Sequence, residues 1–226
     1  MSIGVKCDLP PYASFDPDNP IEGQMYCDGA MHFKVIKGRI VVVGPCSVSV
    51  MEDRIKRMFK RSFENFESSL QEKAVKKVKA FIKKVLKGEK GYLILMGITG
   101  CGKTHLAMAA ANEFILAGMD VQFLRYLEFA NLIREVKKQG SLEALERVIN
   151  ADVFILDDLG SSSTTDSFLE GLQYVLDRRD GRPVIITTNL NKEDLKEVVG
   201  AKIYSRLLEY GVGVALNPID YRQRRF

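Results

Sequence analysis

The 226-residue sequence predicts an α/β fold, with a five-stranded parallel sheet sandwiched by helices, and three observations carry that prediction. Short apolar runs of strand length alternate with longer stretches whose apolar residues recur at helical spacing. The first of those runs leads into a glycine-rich loop, Gly97-Ile98-Thr99-Gly100-Cys101-Gly102-Lys103-Thr104. Two later runs end in polar side chains at the same level, Asp157-Asp158 and Asn189.

Taken in order, Phe33–Ile36 and Arg39–Val43 read as the two strands of a hairpin turning at Lys37-Gly38. A hairpin this small buries too little to stand alone, so it is expected to dock on a partner or on the core domain that follows. Residues 51–90 read as a basic linker and helix. Leu70, Ala74, Val78, Phe81, Ile82 and Val85 fall on one helical face, and Lys76, Lys77, Lys79, Lys83 and Lys84 fall mostly on the other. Between Arg54 and Lys90 thirteen Lys or Arg stand against four Glu, so with a net charge of +4 the remainder of the chain is acidic. A basic helix face of this kind reads more readily as solvated surface than as a nucleic-acid groove.

Residues 91–226 supply the core domain. Gly91–Met96 is a strand and Lys103–Leu116 a helix; Val121–Arg125 and Leu127–Lys138 repeat the pattern. Ser141–Ile149 reads as a further helix with Ser141 as its cap, followed by the strand that ends at Asp157-Asp158. Asp166–Asp177, the strand Pro183–Asn189, the helices Lys192–Val199 and Ala201–Tyr210, and the strand Val212–Leu216 complete the alternation. The chain is expected to have no helical lid after this core. Apolar residues make up 46% of the sequence, enough for a core. No run approaches membrane-spanning length and no leader opens the chain, so a soluble cytoplasmic protein is expected. Four scattered cysteines do not form the framework of a secreted disulfide protein.

The loop matches G-x-x-x-x-G-K-[ST] between a strand and a helix, the setting in which backbone N–H groups cradle phosphates at a helix N-terminus. It marks a nucleoside triphosphate site. Gly97, Ile98, Thr99, Gly100, Cys101, Gly102, Lys103, Thr104 and the following His105 are the candidate nucleotide-binding residues, with ATP or ADP as ligand. Lys103 is expected to reach the β- and γ-phosphates and Thr104 to ligate Mg²⁺. Ligands of open parallel sheets bind at the carboxyl ends of the strands, so Asp157 is expected to hold Mg²⁺ and Asp158 to polarise the attacking water. Alone, two acids at a strand end read equally as solvated turn residues. Asn189 is a candidate to position that water or touch the γ-phosphate, its alternative being the first residue of a turn.

These motifs in this order resemble one family. The loop, Asp157-Asp158-Leu159-Gly160, Thr187-Thr188-Asn189-Leu190, Tyr204-Ser205-Arg206-Leu207 and Asp220-Tyr221-Arg222 are similar to the AAA+ P-loop NTPases of the DnaC/DnaI helicase-loader group and the related IstB transposition helpers. The entry segment Phe59–Phe66 shares that likeness, which spans about Met58 to Arg222. The resemblance implies that Arg206 is an arginine finger completing a neighbouring subunit's ATP site, so that nucleotide binding and self-association are linked. It implies a single-strand-binding helix at 128–139, where Arg134, Lys137 and Lys138 would track phosphates and Phe129 or Tyr126 would stack on a base. Phe129, with Leu132, Ile133 and Val136, reads more readily as that helix's buried face, whereas the three basic residues read equally as solvated surface.

Several members of the family this chain resembles carry an N-terminal zinc module with closely paired cysteines. Here Cys7, Cys27 and Cys46, with His32, include no close pair, and zinc is not expected. The function implied is an ATP-dependent loader of the hexameric replicative helicase onto single-stranded DNA, with residues 1–50 contacting the helicase and an initiator protein as a further partner. An IstB-type transposition helper and a nucleotide-binding adaptor without turnover are the alternatives.

Overall fold

A computed structural model describes residues 21–22, 24–27, 31–36, 39–45, 61–140, 142–162 and 164–221. The Lys37-Gly38 turn, Cys7, Cys46, Arg54–Lys60, Ser141 and Arg222 lie outside the described residues. The chain divides into two compact units, Met1–Lys60 and Arg61–Phe226.

In the first unit, β1 (Met25–Cys27), β2 (Met31–Ile36) and β3 (Arg39–Pro45) form an antiparallel sheet in that order. The expected hairpin is β2 and β3. The added strand β1 is three residues long, too short to show the period-two alternation by which strands are read. A bulge in β2 between His32 and Phe33 shifts its register against β3, and Val35 is fully buried.

The second unit opens with a 3₁₀ turn, Ser68–Leu70, then α1 (Glu72–Val85), β4 (Tyr92–Met96), α2 (Lys103–Leu116), β5 (Val121–Arg125) and α3 (Tyr126–Gln139). It continues with α4 (Glu143–Asn150), β6 (Val153–Leu159), α5 (Asp166–Arg179), β7 (Val184–Thr188), α6 (Lys192–Tyr210) and β8 (Gly211–Ala215). The five strands β4–β8 are all parallel in the order β5-β6-β7-β4-β8. This is the predicted AAA+ P-loop α/β architecture. Strands β4 and β7, buried at every residue, are continuous apolar or small runs because helices cover both of their faces. Tyr92, Ile94, Met96, Phe154, Leu156 and Ile186 face α3–α6, while α1 and α2 pack together on the opposite side.

Two local readings change and a third is borne out. No side chain caps α4: its cap position is Leu142, one residue after the serine expected there. Leu70 belongs to the 3₁₀ turn and is only partly buried; Val75 takes the place on the buried face of α1 that the spacing assigned to it. The two helices expected at 192–199 and 201–210 are the two halves of α6, broken at Gly200 with φ 76° and ψ 161°.

One charged side chain organises the end of the sheet where strands enter. Arg179, fully buried, donates through Nη1 to the carbonyl oxygens of Val148 (2.7 Å), Ile149 (3.2 Å) and Ala151 (2.9 Å), and through Nη2 to those of Asp152 (3.3 Å) and Pro183 (2.8 Å). It thus satisfies the last carbonyls of α4, which a helix leaves without intrahelical donors. Burial lowers its pKa to about 10, so it stays charged at neutral pH. Replacing Arg179 by Leu leaves those carbonyls unpaired. We expect a loss of about 3 kcal/mol in folding stability, read as a lower urea midpoint at unchanged m-value.

Candidate nucleotide site

The loop between β4 and α2 turns on glycines: Gly97, Gly100 and Gly102 have φ of 155°, 82° and 99°. At Gly102, the cap position of α2, a Cβ would sit 2.6 Å from the Phe66 ring. At Gly100 a Cβ would run into the Asp220 carboxylate. Both need glycine for conformation and for room. Lys103 is buried at the start of α2, and its ammonium donates to Gly97 O (2.8 Å), Ile98 O (2.8 Å) and Asn189 Oδ1 (2.7 Å). The structure therefore joins the loop lysine and Asn189 directly. Cys101 is fully buried beside them, and burial pushes its thiol pKa up, so it is an unreactive packing residue.

The two carboxylates sit at an irregularity of β6. Leu156 pairs with Ile186 and Leu159 with Thr188, so two residues of β6, Asp157 and Asp158, stand against Thr187 of β7. This bulge puts Asp158 at φ 61°, a left-handed conformation uncommon outside glycine. Thr187 Oγ1 holds it by donating to Asp157 Oδ1 (2.6 Å) and accepting from Asp158 N (2.9 Å), while Thr188 Oγ1 donates to Leu159 O (2.7 Å). Asp157 also accepts from Thr104 Oγ1 at 3.0 Å, and Arg125 stands opposite it in the β5–β6 register. With 1% exposure, Asp157 is a carboxylate taken out of water with hydroxyls as its hydrogen-bond donors. Burial pushes its pKa up, and the Asp158 charge adds to this against the Thr187 and Thr104 hydrogen bonds.

A second set of residues that sequence reasoning gave no role encloses the loop. Gln71 Nε2 donates to Asn217 O (3.0 Å) and Cys101 O (3.4 Å), and Gln71 Oε1 accepts from Asn217 N (2.8 Å). Tyr221 donates its backbone N–H to Gly100 O (3.1 Å) and its hydroxyl to Glu67 O (3.0 Å). The Phe66 ring lies between His105 and Tyr221, at 5.0 and 5.7 Å. His105 itself turns to this segment, with Nε2 2.8 Å from Ser62 O, and burial lowers its pKa. Phe66 and Tyr221 stand inside motifs already quoted; Gln71 carried no signal, since a lone glutamine before a helix is common.

Other expected residues are not in this cluster. Arg206 donates to Asp177 Oδ1 from Nε (3.1 Å) and Nη2 (2.9 Å) and to Glu209 Oε2 from Nη1 (2.9 Å). Its neighbours Asp177, Asp180 and Tyr92 mark the strand-entry end of the sheet, since Gly181 O bonds Gly91 N just before β4. Five residues of strand, about 16 Å, separate that end from the phosphate loop. On α3, Arg134, Lys137 and Lys138 are exposed, and Lys137 is paired with Glu170 at 2.8 Å. Phe129 and Tyr126 are 0% and 4% exposed and pack on Phe154 and Phe168; Phe129 lies on the buried face that its spacing favoured, and the base-stacking expectation for Tyr126 is corrected to core packing. In the N-terminal sheet, Cys27 pairs in register with His32, and no cluster of three metal-ligating side chains occurs among the described residues.

The residues fit a magnesium nucleotide: a glycine cradle, a lysine at its centre, a threonine hydroxyl and a buried carboxylate in need of positive charge. Residues 51–213 match the family described as IstB-like ATP binding protein. The chain belongs to that ATP-binding family. It is 28% identical over 171 residues to the replicative helicase loader DnaC of Escherichia coli K12, covering 72% of this chain and 69% of that protein. It is 24% identical over 200 residues to the putative ATP-binding protein of insertion sequence IS5376 from Geobacillus stearothermophilus, covering 85% of this chain and 80% of that one. The solved structure of a DnaC helicase loader superposes with a TM-score of 0.62 at 25% identity, covering 72% of this chain and 99% of the other. The chain spans about half, 51%, of a solved DNA replication initiation factor that shares the fold. Among the described residues no helix is long and apolar enough to cross a membrane.

The raised pKa of Asp157 has a definite sign for stability. The fold favours its neutral form, so a penalty grows as pH rises above the ordinary carboxylate value and is complete above the folded value. At pH 7 the nucleotide-free Asp157→Asn protein should therefore melt higher than the parent, by about 2–4 °C per kcal/mol relieved. The same protein should lose the additional rise that Mg²⁺ gives in the presence of ATP, as read by thermal melts with and without EDTA.

Proposed function

We propose that the protein is an ATP-dependent loader that places a hexameric replicative helicase on single-stranded DNA. The observation that carries this reading is the division of the ATP machinery between the two ends of one domain. Lys103, Thr104, Asp157, Asp158 and Asn189 gather where the strands end, and Arg206 is held where they begin. A chain so arranged cannot bring Arg206 to its own phosphates; a neighbouring copy's Arg206 can supply the missing positive charge. Lys103 exchanges its contacts with the loop carbonyls for phosphate oxygens, and Asn189, already bonded to it, registers the exchange. Thr104 and Asp157 hold Mg²⁺, which when bound offsets phosphate charge. Asp158, at the bulge, has no hydrogen-bond partner for its carboxylate among the described residues and is placed to polarise the attacking water. Hydrolysis then needs only positioned groups and charge stabilisation, without a covalent intermediate.

The likeness to DnaC supports the helicase as partner. Residues 1–50, which precede the family match, are proposed as the segment that contacts it, and a replication initiator is proposed as a further contact. Arg134, Lys137 and Lys138 of α3 are the single-strand candidates in this reading. A transposition helper is the second reading, favoured by the insertion-sequence relative that covers more of this chain than DnaC does. Purified full-length protein incubated with a replicative helicase and with a transposase decides between them: retention of the helicase supports the loader, and retention of the transposase alone overturns it.

Two sets of variants test the site. Lys103→Ala should weaken ATP binding at least tenfold, whereas Asp158→Ala should bind ATP normally and turn over about 100-fold more slowly. Lys103→Ala and Arg206→Ala proteins, each inactive alone, should recover turnover on mixing, because one supplies the phosphate loop and the other the arginine. Failure to recover would remove the shared site.

A further inference from the structure

The outward face of α1 carries a concentration of charge that neither the nucleotide site nor the α3 candidates use. Within the helix, six lysines (Lys73, Lys76, Lys77, Lys79, Lys83 and Lys84) stand against one acid, Glu72, and Lys87 follows in the turn that ends it. All are exposed. At 100° per residue, Lys73, Lys76, Lys77, Lys83, Lys84 and Lys87 fall within an arc of about 120°, opposite the buried Ala74, Val78, Phe81 and Val85. None of those six makes an ion pair among the described residues; Lys79 lies over the Phe63 ring at 5.1 Å, and only Lys90, beyond the helix, finds a carboxylate, Asp180. On α3 the balance differs: Arg134, Lys137 and Lys138 share their helix with Glu128 and Glu135, and Lys137 is already paired.

We infer that this face of α1 is a docking surface for the phosphate backbone of nucleic acid, contacted without regard to sequence. Unpaired like charges held side by side repel one another, and a line of phosphates relieves that repulsion while releasing its own counterions. From Lys73 to Lys84 the helix rises about 17 Å, the length over which one strand of B-form DNA carries about five phosphates. The residue type also selects the partner. The arc contains no arginine or aromatic side chain, the residues that anchor protein interfaces, and lysine is a point charge suited to phosphate rather than a fork for a particular carboxylate. A bilayer is the weaker fit, because the apolar side of α1 is buried in the core and only charge would hold the helix to it. The surface is physically continuous with the nucleotide site, for Gln71 at the N-terminus of α1 bonds both the phosphate loop and the following tail. The inference stands on α1 alone and does not depend on the loader reading.

The test is fluorescence anisotropy of the full-length protein with a labelled thirty-nucleotide oligo-dT and, separately, a thirty-base-pair duplex, over a range of NaCl concentrations. Lys73→Gln/Lys77→Gln/Lys84→Gln should bind at least about tenfold more weakly at 100 mM salt and lower the slope of log K against log salt by about 2–3. Loss with oligo-dT alone names the single strand as the ligand, and loss with the duplex alone or with both names the duplex or either form. ATP binding should be unchanged, and the matching Lys→Arg protein should bind as the parent does. Unchanged affinity and slope with both probes would overturn the inference, as would a loss produced wholly by Arg134→Gln/Lys137→Gln/Lys138→Gln. Should the triple Gln protein misfold, lysine acetylation of the parent reads the same question. Protection of Lys73, Lys77 and Lys84 by DNA supports the surface, and equal labelling with and without DNA refutes it.

Discussion

A single threonine hydroxyl sets the geometry of the nucleotide site. Thr187 Oγ1 donates to the Asp157 carboxylate and accepts from the Asp158 amide, closing the bulge in which β6 spends two residues against one of β7. In a regular strand, adjacent side chains point to opposite faces of the sheet, so two neighbouring carboxylates cannot both serve one site. The bulge cancels that alternation. It leaves Asp157 buried against Thr104 and Asp158 in a left-handed conformation at the strand end, a strained arrangement that persists because the threonine and the paired strands over-determine it.

The phosphate loop is held from three sides by parts of the chain far apart in sequence. Lys103 bonds its own carbonyls and Asn189, Gln71 bonds Cys101 and Asn217, and the Tyr221 amide bonds Gly100. Any rearrangement of the loop around a ligand is therefore felt at the start of α1, at the end of β7 and in the segment after β8. Local networks with discrete alternative partners are the physical means by which a bound nucleotide changes the surfaces around it. The basic face of α1 begins two residues from Gln71, at Lys73, which places the charge-bearing surface at one end of that network.

The opposite end of the sheet is organised by cations of two kinds. Arg179 is buried and spends its guanidinium on carbonyls of α4 and of the segments leading into β6 and β7; its role is architectural. Arg206 is partly exposed and is oriented by Asp177 and Glu209, a pairing too open to water to add much stability but able to aim a planar group. Two arginines at one level of the fold thus differ in exposure and in partners, backbone carbonyls for Arg179 and carboxylates for Arg206.

The repeating α/β pattern, the glycine loop, the paired carboxylates and the Asn189 strand end were all legible in the sequence, because each is a local pattern whose residues lie next to one another. The broken helix at Gly200 was legible for the same reason. The three-residue strand β1 was not, since it is too short to carry a periodic signal, and the start of α4 was misread because a serine beside a helix carries a capping signal that the cap position Leu142 does not use. Gln71, Thr187 and Tyr221 acquired roles only when the fold, with its strand order β5-β6-β7-β4-β8, brought Gln71 and Tyr221 against the loop and Thr187 against the β6 carboxylates. The same holds for the choice between two readings of one helix: periodicity placed Phe129 and Lys137 on α3, but only packing showed the first sealed in the core and the second bound to Glu170. The sequence by itself determined the fold class and the presence of a nucleotide site, because backbone conformation and phosphate cradling depend on contiguous residues. Tertiary structure alone decided which charges share that site and which are left to face a partner, because electrostatic interaction depends on distance in space.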